Sequence, residues 1–156
     1  MAIEKVKAYF REHGMEERVQ EFDVSSATVE LAARALCCEP QRIAKTLSFM
    51  AGEQAVLIVT AGDAKIDNPK YKAKFGKKAK MLSPGEVETI VGHAVGGVCP
   101  FAVNEGVKIY LDVSLKRFDT VFPACGSSNS AIELTIPELE EHSGYSEWVD
   151  VCKGYL

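Results

Sequence analysis

No stretch of this chain is apolar for long. The longest uninterrupted apolar run is Ala55 to Val59, far short of the roughly 20 residues a membrane-spanning helix requires. The first segment, Met1 to Arg11, is charged and amphipathic and lacks the apolar centre of a signal peptide. A cytoplasmic protein with no membrane partner is the expectation. Cysteines are few, odd in number and irregularly spaced at 37, 38, 99, 125 and 152, with no Cys-x-x-Cys pair. That excludes a disulfide framework as the organising principle and leaves buried structural thiols as the favoured reading. His93 and Cys99 could meet at a metal only through long-range folding.

The common catalytic signatures are missing too. Gly76-Lys77 resembles the end of a phosphate loop, but Tyr71 occupies the place of its first glycine. There is no Gly-x-Ser-x-Gly elbow and no His-Glu-x-x-His. The three histidines, at 13, 93 and 142, are scattered, so neither a metal nor a cofactor is expected. Cys125 could be a loop nucleophile, but it has no evident partner base, and small-residue packing is the stronger reading.

Charge is present but uneven. The total is −4, yet residues 65–80 hold seven lysines (65, 70, 72, 74, 77, 78 and 80) against Asp67. This segment carries +6 and the rest of the chain −10. A basic patch on an acidic body can hold a phosphate backbone, and Lys70, Lys72, Lys74, Lys77 and Lys78 are its candidate contacts. A solvated, lysine-rich helix face is an equally good account of the same residues.

The length of 156 residues suits one domain spanning 1–156. Ile3, Val6 and Phe10 keep helical spacing, and Gly14 is a stop. Glu21 to Val24 reads as a short strand. Ser26 or Thr28 can cap a helix with Val29, Ala32, Ala33 and Leu36 on its apolar face, ended by Pro40. Thr46 to Phe49 and Ala55 to Thr60 form a hairpin about Gly52-Glu53. Asp67-Asn68-Pro69 opens a lysine-rich helix. Ser83-Pro84-Gly85-Glu86 and Thr135-Ile136-Pro137-Glu138 are capping boxes, and Gly92 closes the first of these two helices. Val107 to Leu111, Thr120 to Phe122, Ala131 to Leu134 and Trp148 to Val151 read as further strands. Helices interrupt the strands irregularly. The expected class is α+β, with a mixed, largely antiparallel sheet or partial barrel surrounded by short helices.

Three places are chemically unusual. Lys45 stands at a strand start, where a lysine is ordinarily exposed and idle, but where it would be a fixed cation if it faced a cleft. Gly96-Gly97, with Pro100 after them, would let backbone amides approach a ligand closely, or simply make a turn. Gly126-Ser127-Ser128-Asn129-Ser130 is a polar loop between apolar strands, either a cradle or an ordinary connection.

The order of these places resembles the YbaK/EbsC family. Thr28-Val29-Glu30-Leu31-Ala32-Ala33 followed by Pro40-Gln41-Arg42-Ile43-Ala44-Lys45-Thr46-Leu47 is similar to that family's opening signature. Ala55 to Thr60 with Ala61-Gly62-Asp63 is similar to its next strand and turn. Gly96-Gly97-Val98-Cys99-Pro100-Phe101, Tyr110-Leu111-Asp112 and Ala124-Cys125-Gly126-Ser127-Ser128-Asn129 follow in the family's order. The resemblance covers about residues 20 to 140.

It implies a relative of the editing insertion of bacterial prolyl-tRNA synthetases and of free-standing proteins that deacylate tRNA carrying wrong small amino acids. The implied substrate is aminoacyl-tRNA, with an aminoacyl-tRNA synthetase as a possible partner. By resemblance, Lys45 is the functional lysine, beside Thr46, and Gly96, Gly97 and Pro100 form a substrate loop. The loop of Gly126, Ser127, Ser128 and Asn129 lies where members differ, some having a histidine or a basic pair. The expected roles follow. Lys45 anchors a phosphate or polarises the ester, and the Gly96 and Gly97 amides face the carbonyl oxygen. The 126–129 loop touches ribose or amino acid, and a substrate hydroxyl assists the water. A non-catalytic tRNA- or synthetase-binding adapter with the same fold is the alternative, and a small-metabolite binder a third.

Overall fold

The computed structural model describes residues 2–155, and the two end residues of the expected 1–156 domain lie outside that range. Helix α1 (Ala2–Glu12) buries Ile3, Val6 and Phe10 along one stripe. Strand β1 (Val19–Glu21) follows, starting two residues before the position expected from sequence and overlapping it only at Glu21. Helix α2 (Val29–Leu36) is capped by Thr28, whose hydroxyl accepts from the Leu31 amide at 3.2 Å. Pro40 does not end it. Cys37 does, by turning into the left-handed conformation (φ 55°), and Pro40 opens a separate 3₁₀ turn.

Strands β2 (Ile43–Ala51) and β3 (Gln54–Ala61) form the long hairpin, with Ala51 opposite Gln54. Every residue of β3 from Ala55 onward is buried, the pattern of a central strand covered on both faces. Strand β4 (Lys65–Ile66) leads into α3 (Asn68–Phe75), capped by Asp67 and closed by Gly76. The Ser83 capping box forms, opening α4 (Pro84–Glu86), which continues as a wider turn over Val87–Val91 and ends at Gly92, φ 96°. Strands β5 (Lys108–Asp112), β6 (Thr120–Pro123), β7 (Ser130–Ile132) and β8 (Leu134–Thr135) precede α5 (Ile136–Ser143), which the Thr135 capping box opens. Strands β9 (Glu147–Val149) and β10 (Cys152–Lys153) close the chain.

The main sheet runs β8-β6-β2-β3-β5-β9. The pairs β2–β3 and β6–β8 are antiparallel, whereas β2–β6, β3–β5 and β5–β9 are parallel. Two antiparallel ribbons, β1–β7 and β4–β10, flank it. The fold is the expected α+β arrangement of a mixed sheet with short helices around it.

Two strands expected as single segments are each divided. Ala131 to Leu134 breaks at Glu133, because β7 pairs with β1 and β8 with β6. The Glu133 carboxylate accepts there from Thr120 Oγ1 at 2.6 Å and from Arg42 at 3.1 Å. Trp148 to Val151 breaks because the Val151 amide turns to donate to Asp112 Oδ1 at 3.0 Å.

The sheet geometry also makes an opening. Beside β2, β6 is registered only against Ile43 and Ala44. Further along that edge, Phe49 bridges Met81, and the Leu82 amide donates to the Ser48 carbonyl at 3.2 Å. Among the described residues no strand is registered against Lys45, Thr46 and Leu47 on that side.

Candidate active site

That opening is the mouth of a cleft of about 530 Å³. Residues 44–48 of β2 form one bank. The others are the start of α2 at Thr28, Val29 and Ala32, the segment from Met81 to Val87, the loop at Val95, Gly96 and Val98, and Ser130-Ala131 of β7. The walls are chiefly apolar, with Val29, Ile43, Leu47, Val98 and Phe122 among them.

Lys45 is half-buried in this cleft, and its Nζ lies 3.5 Å from the Gly62 carbonyl oxygen. Burial pushes its pKa below the usual lysine value, and Asp63 nearby pulls weakly the other way. Asp63 is itself held by Arg117, Oδ1 to Nη2 at 2.5 Å. Lys45 is thus an incompletely solvated cation opening on apolar space. Thr46 lies next to it in the lining, and its buried Oγ1 has no hydrogen-bond partner among the described residues. Gly96 adopts φ +94°, with Ala27 and Ser128 side chains 3.4 and 3.5 Å from where a Cβ would stand.

The two glycines separate at this point. The Gly97 amide donates to the Ala94 carbonyl at 3.1 Å. A Cβ on Gly97 would stand 2.6 Å from the Ser127 amide nitrogen and 2.8 Å from the Gly126 carbonyl carbon. The expectation that Gly97 offers its N–H to a carbonyl oxygen is therefore corrected. That N–H is spent in a turn, and the missing side chain lets two loops touch. The Gly96 N–H, by contrast, makes no hydrogen bond among the described residues. Pro100 is buried behind the loop and does not line the cleft.

The 126–129 loop is largely occupied with its own anchoring. Gly126 abuts the start of α1, 3.0 Å from the Ile3 nitrogen at its Cβ position. Ser127 Oγ donates to Asn129 Oδ1 at 2.9 Å and lies within hydrogen-bond distance, 2.7 Å, of the Ser130 hydroxyl. Asn129 donates to the Phe22 carbonyl at 2.9 Å, and the Ser128 carbonyl accepts from the Ser26 amide at 2.6 Å. Only the exposed Ser128 side chain stands close to Gly96. The loop binds the 22–26 segment and so fixes one wall, rather than lining the cleft itself.

Sequence reasoning missed Ser48, Met81 and Val95, all in the lining, and of the 126–130 loop it singled out, only Ser130 lines the cleft. Ser48 was reachable, since it follows Thr46 at strand spacing and so shares its face. Met81 and Val95 are apolar residues that are more than 60% exposed at the mouth. His93 and Cys99 do meet, Nε2 to Sγ 3.5 Å, but fully buried behind the loop, where His93 also bonds the Phe101 carbonyl at 2.8 Å. Among the described residues no three His, Cys, Asp or Glu side chains are grouped to hold a metal. Cys125 is fully buried, and burial raises its thiol pKa well above normal, which disqualifies it as a nucleophile.

Comparison with known proteins agrees with this geometry. A model of the aminoacyl-tRNA editing domain matches residues 23–142. The chain is 56% identical, over 99% of both sequences, to the uncharacterised protein YwhH of Bacillus subtilis strain 168. It is 25% identical to the proline–tRNA ligase of Streptococcus mutans serotype c over 81% of this chain, but it spans only 21% of that ligase. A solved structure described as a candidate trans-editing enzyme for prolyl tRNA synthetase superposes with a TM-score of 0.87 at 28% identity, covering 98% of each chain. With the match running from the loop before α2 to the end of α5, across every bank of the cleft, this chain belongs to the aminoacyl-tRNA editing domain family.

Proposed function

We propose that the protein is a trans-acting hydrolase of mischarged aminoacyl-tRNA, specific for small amino acids such as alanine, cysteine or serine. The observation that carries this reading is the half-buried Lys45 ammonium, which shares an apolar cleft with the unspent Gly96 amide. The bond at issue is the ester between an amino acid and the terminal ribose. Water adds to the ester carbonyl carbon, the carbon–oxygen bond to ribose breaks, and the ribose oxygen takes a proton. The products are a free amino acid and uncharged tRNA.

Such an ester is already activated, so positioning and stabilisation of the oxyanion suffice. Lys45 supplies the positive charge, either to the carbonyl oxygen or to the terminal phosphate, and is worth more in an apolar cleft than in water. The Gly96 N–H is the second donor to the oxyanion. No side chain in the lining is placed as a general base, and a ribose hydroxyl of the substrate fits that role. The apolar walls act as a sieve. A methylene is worth only ~1–3 kcal/mol in binding, so exclusion of a larger amino acid discriminates better than attraction of a smaller one. The names of the related proteins favour proline-specific tRNA, with a synthetase as the source of the error.

The test is release of amino acid from a panel of mischarged tRNAs by the purified protein, with Lys45→Ala alongside. Release from tRNAs carrying small non-cognate residues, lost in the variant, is expected. Binding of charged tRNA without release from any member of the panel would replace the enzyme with a non-catalytic adapter.

A further inference from the structure

We infer that a groove on the lysine-rich flank is continuous with the mouth of the cleft and receives the unpaired 3′ end of an RNA. Lys72 and Lys78 grip its phosphates, and Met81 and Val95 hold its last base. The inference rests on the reading of the cleft as an editing site and assigns the surface that leads the substrate in.

Helix α3 divides its lysines by face. Tyr71 is fully buried and Phe75, one turn on, stacks at 4.7 Å from it and packs edge-on to Tyr110. Lys70 and Lys74 share a second face and are both committed. Lys70 Nζ lies 3.0 Å from Asp150 Oδ1 and 2.9 Å from the Cys152 carbonyl, and Lys74 pairs with Glu147. Lys72 projects from another side of the helix. There, with Asn68, Pro69, Lys78 and Ala79, it lines a second cavity of about 510 Å³. Neither Lys72 nor Lys78 has an ion-pair partner among the described residues. Of the five lysines at 70, 72, 74, 77 and 78, Lys70 and Lys74 are neutralised by the C-terminal strands, Lys77 lies by the hairpin turn at Gly52, and Lys72 and Lys78 are left as a pair lining one groove.

The chain itself runs from the groove, at Lys78 and Ala79, to the cleft, at Met81 and Leu82. The Met50 amide donates to the Lys80 carbonyl at 2.9 Å, Met81 bridges Phe49, and the Leu82 amide donates to Ser48. Residues 80–82 are thus an extended strip along the free edge of β2. At about 3.3 Å per residue, Lys78 lies on the order of 10 Å from Met81, the span of one or two nucleotides. Met81 and Val95 are 61% and 62% exposed and face the same mouth. A methionine thioether against a flat ring is a good contact, and two apolar side chains at an entrance suit the faces of a nucleobase. Phosphates fit the groove by charge. A duplex fits poorly, because its bases are paired and stacked and cannot splay out singly between Met81 and Val95.

The experiment measures binding without turnover, by fluorescence anisotropy with a labelled single-stranded heptaribonucleotide ending in adenosine. Lys72→Gln/Lys78→Gln should weaken binding about 10-fold and flatten its salt dependence by roughly 1 to 1.5 in log–log slope, as expected for two contacts on a single strand. Lys70→Gln/Lys74→Gln should leave both within twofold. Met81→Ala should cost roughly 2- to 10-fold with the salt slope unchanged, the range of a sulfur–ring contact. Melting curves of all variants should match the parent. Equal effects of the two lysine pairs, an unaffected Met81→Ala, or equal competition by a blunt duplex of the same sequence would each overturn the inference. Oligonucleotide binding with this pattern but no deacylation would sink the proposed hydrolase and leave the groove standing.

Discussion

Lys45 is a cation half withdrawn from water whose nearest polar neighbour is a neutral carbonyl. Such a placement costs stability, because burial penalises the charged form. Lys45→Met keeps the stem and removes the charge. The variant should melt no lower than the parent, while deacylation falls on the order of 10²-fold or more. A melting temperature that drops together with unchanged turnover would make Lys45 a packing residue. The pH dependence has a definite sign. The folded-state pKa lies below the unfolded value of 10.5, so folding disfavours protonation there. Lys45 therefore adds stability as pH rises from its lowered pKa towards 10.5. In the proposed mechanism the active form is the protonated one, so activity moves oppositely: kcat/KM, corrected for spontaneous ester hydrolysis, should decline in that window. Lys45 was legible as an odd lysine at a strand start. What no local pattern could supply was the unpaired edge of β2 that makes the position a cleft.

At the scale of elements, the loops at 94–97 and 126–130 act as one body. Gly97 is required by contact and not by conformation, since its Cβ would enter the backbone of Gly126 and Ser127. Gly97→Ala should therefore lower stability by about 1–3 kcal/mol, the usual cost of overpacking, readable as a fall in melting temperature. The rate should suffer only in proportion to how far the loop moves. A stable variant with a large loss in kcat would return Gly97 to the chemistry. The caps and hairpin could be read directly, because Thr28, Ser83 and Thr135 with their partners are at most three residues apart. The breaks at Glu133 and Asp150 could not. Each depends on a distant partner, Thr120 in one case and, in the other, Asp112, 39 positions from the Val151 amide it accepts from. Likewise, the spacing of Lys70 and Lys74 made them neighbours on a helix, but only the C-terminal strands, folded back over α3, neutralise them.

For the whole molecule, the cysteines report how much of the chain is sealed. Cys99, Cys125 and Cys152 are buried, while Cys37 is exposed and Cys38 partly so. Burial pushes the Cys99 thiol up to about 12 and raises those of Cys38, Cys125 and Cys152. An aromatic disulfide reagent at neutral pH should modify Cys37 first and Cys38 more slowly, and should reach all five thiols only in denaturant. Rapid reaction of three or more thiols in the native protein would mean the core opens far more readily than its packing implies.

The same closure bears on how the protein comes into being. Arg42 bonds to the Thr120 carbonyl from 78 positions away, at the point where β6 joins β2. The last bank of the cleft, Ser130 and Ala131, comes later still. Contacts so distant along the chain form late and slowly. A polypeptide still emerging from the ribosome, surrounded by charged tRNAs, carries its lysine long before it has the cleft proposed to receive their ends.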